Sequence, residues 1–249
     1  MFSMKNHLRQ VSLYLLAGCL TLGTAAGLGW FSGVLPVRMT VPASARTEAT
    51  VFVLDPGHGG EDGGAAAEDG TTEKNLNLEI ALRMGDIADL LGYPTVLTRT
   101  DDTMLYDRYN ALEEYSGKKK TYDLRNRLRL AEESGCTLFC SIHMNKFPEV
   151  SCSGLQVYYS PNAPESSSYA ALLQSYARTF LDTGNTRETK KATSAIYLLH
   201  RIQSPAVLVE CGFLSNPAEC RKLQDTIYQL QLASVLTAAL AEGVKAIES

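Results

Sequence analysis

Three apolar runs in this chain each end on a polar group. Val51-Phe52-Val53-Leu54-Asp55 leads into Pro56-Gly57-His58, Leu138-Phe139-Cys140-Ser141-Ile142 into His143, and Ala206-Val207-Leu208-Val209 into Glu210. Runs this short and this apolar suit strands covered on both faces. Between them lie segments with apolar residues at steps of three and four, and such alternation is the pattern of an α/β layer structure with a mainly parallel sheet. It predicts strands at Val51–Asp55, Tyr93–Arg99, Thr137–Asn145, Gly154–Ser160 and Ala206–Cys211, with a weaker one at Ser194–Leu199. Helices fit Glu73–Leu91, Tyr122–Glu133, Ser166–Leu181 and Thr226–Ile247, and Thr100–Thr121 is the longest loop.

Ahead of this pattern the chain changes character. Lys5, His7 and Arg9 precede a stretch from Val11 to Val37 that holds no charged residue, long enough to cross a hydrocarbon core of about 30 Å. Residues 1–37 therefore read as a membrane-inserting segment with three fates: an uncleaved anchor, a signal peptide cut after Ala43-Ser44-Ala45, or lipid attachment at Cys19. The anchor is favoured, because the apolar run continues well past Cys19 and Ala45 lies far beyond the usual signal-peptide length. Positive residues ahead of the run keep the amino terminus in the cytoplasm and put everything after Arg38 outside it. Residues 38–49 read as a linker and 50–249 as one extracytoplasmic domain, tethered to the envelope or, if the segment is cut, secreted.

Composition excludes several classes. Apolar residues make up 45% of the 249, ample for a core, so disorder is out. Lys+Arg 23 against Asp+Glu 27 leaves no basic excess for nucleic acid. Six Cys, none paired as C-x-x-C, make neither a disulfide scaffold nor a zinc knuckle.

In a parallel sheet the carboxyl ends of strands share one rim, and ligands bind in the crevice there. His58, His143 and Glu210 converge on that rim. Glu73 adds a fourth group: with Thr71 or Thr72 as N-cap, it opens a helix whose apolar stripe runs Leu76, Ile80, Met84, Ile87, Leu91, and it lies on that stripe. Taken alone, Glu73 equally suits an acidic residue favoured by the helix dipole with its head in water. Two imidazoles and one carboxylate are, however, the protein ligands of an open catalytic zinc site, and His58, Glu73 and His143 supply that set. Such a zinc acidifies its bound water toward about pKa 7 and polarises a carbonyl, while a second carboxylate carries protons, a role that falls to Glu210.

Four blocks carry a resemblance: Leu54-Asp55-Pro56-Gly57-His58-Gly59-Gly60 with Gly63-Gly64-Ala65; Glu73-Lys74 opening a helix; Ser141-Ile142-His143-Met144-Asn145; and Val209-Glu210-Cys211-Gly212-Phe213-Leu214-Ser215-Asn216. Together they resemble the zinc N-acetylmuramoyl-L-alanine amidases of the type-3 family, over about residues 50 to 247. The resemblance implies a six-stranded mixed sheet flanked by helices, Zn2+ on His58, Glu73 and His143, and Glu210 as catalytic acid/base. It also implies a peptidoglycan substrate, cut at the amide between the lactyl group of N-acetylmuramic acid and L-Ala. Tyr122–Leu128, Asn185–Ala192 and Ile196–Leu199 are similar to the membrane-anchored amidases of endospore formers, whose cleavage precedes muramic-δ-lactam formation in cortex. Whether an accessory protein takes part stays open. Two other classes stay in view: a zinc peptidase or carboxypeptidase on wall peptides, which the same ligands would serve, and a non-catalytic wall-binding module, which the intact ligand set argues against.

Other signals read as structural. Asp62 beside Glu61 removes the phosphate-cradle reading of Gly57–Gly64, whose glycines instead let backbone approach metal and substrate. Pro217 after Asn216 marks an N-cap and first helical turn. Cys140 and Cys211 suit buried free thiols, with a disulfide at Cys152 left open, and Lys118-Lys119-Lys120 suits a solvated loop. Arg125, Arg127 and Arg129 suit a solvated helix face, with contact to the anionic substrate as the alternative.

Overall fold

The computed structural model of the protein describes residues 50–109 and 118–248. The stretch Val11–Val37, the linker 38–49 and residues 110–117 of the long loop lie outside the described residues. Along the chain come β1 (Phe52–Pro56), α1 (Glu73–Leu90), β2 (Thr95–Leu97), α2 (Lys119–Glu133), β3 (Leu138–Asn145), β4 (Gln156–Tyr159), α3 (Glu165–Phe180), β5 (Lys190–Lys191), α4 (Tyr197–Arg201), β6 (Ala206–Phe213), α5 (Pro217–Gln224) and α6 (Thr226–Glu248).

The strands form one mixed sheet in the order β2-β1-β3-β6-β4-β5. β2, β1, β3 and β6 run parallel, β4 runs against β6, and β5 follows β4. Alternate side chains leave a strand on opposite faces, which explains why the apolar runs are uninterrupted. Phe52, Leu54, Leu138, Cys140, Ile142, Val207 and Val209 face a large core with Ile80 and Met84 of α1, Leu173 of α3, and Leu232, Leu236 and Leu240 of α6. Val53, Phe139, Ala206 and Leu208 face a smaller cluster with Ala131 of α2 and Leu198 and Leu199 of α4. Each large apolar side chain buried this fully contributes about 1.5–3 kcal/mol.

Helix α6 passes a length-and-hydropathy test for a membrane span over Thr226–Ala246. Its Leu232, Ala233, Leu236, Ala239 and Leu240 are fully buried in the larger core, which makes it a core helix. Pro217 opens α5 as the sequence predicts: the Asn216 side chain accepts from the amides of Ala218 (2.9 Å) and Glu219 (3.3 Å).

The strand expected at Ser194–Leu199 is a correction. Residues 197–201 form the short helix α4, which buries Leu198 and Leu199, and the sixth strand is Lys190–Lys191. Both residues of β5 are exposed, so no apolar run marks it. Lys118–Lys120 is a second correction: Lys119 and Lys120 open α2 and reach Glu61 (2.6 Å) and Asp62 (3.1 Å) in the glycine-rich turn. The Lys119 pair is largely exposed, a position where an ion pair adds little, and Asp62 of the other pair is half-buried. All five described cysteines are free. Burial pushes the Cys136 and Cys140 thiols up to about 12, leaving them unreactive.

Candidate active site

Register brings the rim residues into rows. Asp55 of β1 faces Ser141 of β3, and His143 of β3 faces Glu210 of β6, which in turn faces Gln156 of β4. Past Glu210 and His143 the β3–β6 pairing shifts register and resumes at Asn145 opposite Phe213, so the ladder is irregular where the polar groups stand. His58 follows β1 directly, and Glu73 is the first residue of α1.

Thr72 occupies the N-cap position of α1 but makes no side-chain cap bond. Glu73 is buried and turned inward instead. Its Oε1 is 2.8 Å from His143 Nδ1 and 3.3 Å from His58 Nε2 and accepts the Met144 amide at 3.1 Å, while Oε2 accepts the Ala65 amide at 2.8 Å. The two imidazoles meet edge to face with centroids 5.0 Å apart. Donor atoms of His58, Glu73 and His143 all lie within 4.8 Å of one another, a group that could hold a metal ion. Burial pushes the Glu73 carboxyl up, but the His143 and His58 contacts overcome it and hold it well below the usual carboxylate range. Asp62 stands 3.0 Å from His58 Nδ1, close but not aligned as a hydrogen bond.

Glu210 differs from Glu73 in kind. Its Oε2 is buried without a hydrogen-bond partner, and burial raises its pKa, with the Glu73 charge adding and the two imidazoles opposing. No hydrogen bond joins it to either imidazole among the described residues. A buried carboxyl with a raised pKa beside a donor group that could hold a cation is suited to moving protons.

The glycines here make room for these side chains. A Cβ on Gly57 would overlap the His143 ring, and one on Gly64 (φ 67°) would come 2.6 Å from Glu73 Oε2 and 2.7 Å from His58 Cδ2. His58 itself has φ 62°, the one non-glycine among the described residues in that region. A backbone held there costs on the order of 1–3 kcal/mol and needs support from its surroundings.

Two arginines that sequence reasoning missed supply that support. Arg127, expected on a solvated face, is 1% exposed. Its Nη2 donates to the His58 carbonyl (2.5 Å), its Nη1 to the Pro56 carbonyl and Asp55 Oδ1 (both 2.8 Å), and its Nε to Asp123 Oδ2 (2.8 Å). Arg99 donates Nε to the Pro56 carbonyl (2.9 Å) and Nη2 to the Gly57 carbonyl (3.0 Å). Burial works against the Arg127 charge, yet Asp55 and Asp123 hold its pKa above the ordinary value. Burial likewise pushes Asp55 up, and Arg127, Ser141 and Thr98 bring it below normal. Removing one member of a buried ion network leaves the others uncompensated, so Arg127→Leu should destabilise the fold by about 3–5 kcal/mol. Denaturant unfolding of metal-free protein checks it; a loss below about 1 kcal/mol, the scale of an exposed pair, would refute the clamp. Arg125 and Arg129 are exposed, and Arg129 pairs with Glu133 at 2.7 Å.

An α/β sheet with a His, Glu, His donor group at its carboxyl rim and a buried carboxyl beside it suits the metal-dependent amide hydrolases. Residues 52–242 match the N-acetylmuramoyl-L-alanine amidase family, and the chain belongs to it. It is 37% identical over 193 residues to the germination-specific N-acetylmuramoyl-L-alanine amidase of Bacillus subtilis (strain 168), covering 78% of this chain and 79% of that one. The solved CwlD amidase of Clostridioides difficile, in complex with the GerS lipoprotein, matches with TM-score 0.74 and 34% identity over 79% of this chain and 99% of that chain. The catalytic domain of CwlV, an amidase from Bacillus (Paenibacillus) polymyxa, matches with TM-score 0.65 and 29% identity over 79% and 98%.

Proposed function

We propose that this protein is a zinc enzyme that hydrolyses the amide joining N-acetylmuramic acid to L-Ala of the peptidoglycan stem peptide. His58, Glu73 and His143 hold the metal, Glu210 is the catalytic acid/base, and residues 50–249 are the catalytic domain. One observation carries this reading: three donor side chains within 4.8 Å of one another, next to a carboxyl whose buried Oε2 has no partner. Zinc bound there would acidify a water molecule and polarise the amide carbonyl. Glu210 takes up a proton on the side of the incoming water and returns it to the departing L-Ala nitrogen. Asp62 stands on the Nδ1 side of the His58 ring, and the Arg127 and Arg99 clamp fixes the backbone that carries it.

The reading extends to location and role. Val11–Val37 anchors the chain with residues 38–49 as linker, so the domain works outside the cytoplasm. The likeness to a germination-specific amidase supports a task in spore cortex, on the way to muramic-δ-lactam. The lipoprotein bound by the Clostridioides difficile relative supports an accessory partner.

Mass spectrometry of digested peptidoglycan tests the reaction. The expected products are muramic acid with a free lactyl carboxyl and peptides with a free amino-terminal L-Ala; shortened stems with that amide intact would mean a peptidase instead. In the same cells the full-length chain should sediment with membranes and resist alkaline carbonate, and a soluble form beginning at Arg46 would mean a cleaved signal.

A further inference from the structure

The row of side chains that holds His143 and Glu210 continues one strand further, to Gln156. Against Gln156 stands a cation to which the amidase mechanism gives no role. Arg187, in the loop between α3 and β5, donates Nε to the Ser153 carbonyl (2.7 Å) and Nη1 to Gln156 Oε1 (3.2 Å). Its guanidinium lies 4.4 Å over the Phe213 ring. Nη2 has no partner among the described residues, and Gln156 takes only one of the two Nη1 hydrogens. The edge of the fork formed by Nη1 and Nη2 is therefore open. Arg187, Gln156 and Ser153 line a cavity of about 390 Å³. Asp182 lines it too, with its Oδ1 occupied by the Gly184 amide at 3.0 Å.

Gln156 faces Glu210 across the β4–β6 ladder and joins this cavity to the row of rim residues. In the mechanism above Glu210 hands its proton to the departing nitrogen, which places that nitrogen beside Glu210, with Gln156 the next side chain along the row. Tyr158 of β4 registers both neighbours: burial pushes its hydroxyl up, the Glu210 charge adds to this, and the Arg187 charge opposes it. Adjacent strands are about 4.8 Å apart, which puts Gln156 about 5 Å beyond Glu210 and about 10 Å beyond His143. An extended peptide advances about 3.3–3.6 Å per residue, so L-Ala and the residue after it, measured from a nitrogen beside Glu210, span about 7 Å and reach Gln156.

We propose that Arg187, braced by Gln156 and Phe213, recognises a carboxylate carried by the residue that follows L-Ala in the stem peptide; this rests on the amidase reading above. A guanidinium fork whose plane is already fixed by stacking and by two hydrogen bonds loses little freedom on binding, and two parallel N–H donors match a carboxylate edge.

The test uses two N-acetylmuramoyl-L-alanyl-γ-D-glutamyl-L-lysine probes, with the glutamyl α-carboxyl free or amidated, and the full-length zinc-loaded protein. The wild type should favour the free acid in kcat/KM by about ten- to a hundredfold, the range of a hydrogen bond to a charged group, mostly through KM. Arg187→Gln should bring that ratio close to one, and Arg187→Lys should keep part of it. Equal cleavage of both probes by the wild type would overturn the proposal while leaving the amidase reading intact. An Arg187→Gln loss equal on both probes would also overturn it, since Arg187 would then only tie Ser153 to Gln156. Release of a peptide with a free amino-terminal L-Ala from neither probe by the wild type would overturn the amidase reading and this proposal together.

Discussion

Glu210→Gln should keep its metal and lose turnover by a factor on the order of 10² to 10⁴, the usual contribution of a positioned general acid/base. The substitution keeps the shape of the side chain and removes its ability to take a proton. Glu210 makes no hydrogen bond to His58 or His143 among the described residues, and its Oε2 is buried without any partner. A carboxylate that merely oriented an imidazole would instead weaken metal binding and slow the reaction mildly. Metal content and amide cleavage measured on the same preparation separate the two. Near-normal turnover with metal bound would remove Glu210 from the mechanism.

The second large effect concerns the metal. The doubly substituted His58→Ala, His143→Ala protein should hold no zinc by elemental analysis and cleave nothing, because a single carboxylate remains of the three donors. Glu73→Ala should leave partial occupancy, since the two imidazoles persist. Full occupancy in the double variant would move the site elsewhere. The Glu73 variant has a structural cost as well: the amides of Ala65 and Met144 both donate to that carboxylate, and without it one buried and one part-buried donor lose their acceptor.

The fold, and the meeting of His58, Glu73 and His143 with Glu210 beside them, are legible because each signal is a local pattern with a global meaning. An apolar run that ends on a polar residue is a buried strand reaching its rim, and parallel strands share that rim. β5 had no such mark, being two exposed lysines that pair only because β4 is beside them. The clamp was hidden for a different reason. Asp123, Asn126 and Arg127 read as a polar face, yet they share a side of α2 with Leu130 and Ala131, at the steps of three and four that mark burial. Asp55, which pairs with Arg127, stands near the end of the apolar strand β1, 72 residues away. A buried acid at a strand end calls for a cation, but nothing along the chain says which arginine will supply it.

The clamp also ties metal capture to the completion of folding. His58 comes from the end of β1, Glu73 from α1, His143 from β3, and the arginines that hold the His58 loop from α2 and the segment after β2. Contacts between positions so far apart in sequence form late, after the loops between them have closed. Until α2 docks, the His58 carbonyl lacks the Arg127 hydrogen bond that helps hold its left-handed backbone conformation. An incompletely folded chain should thus be a poor metal scavenger, with hydrolytic power arriving only in the finished molecule.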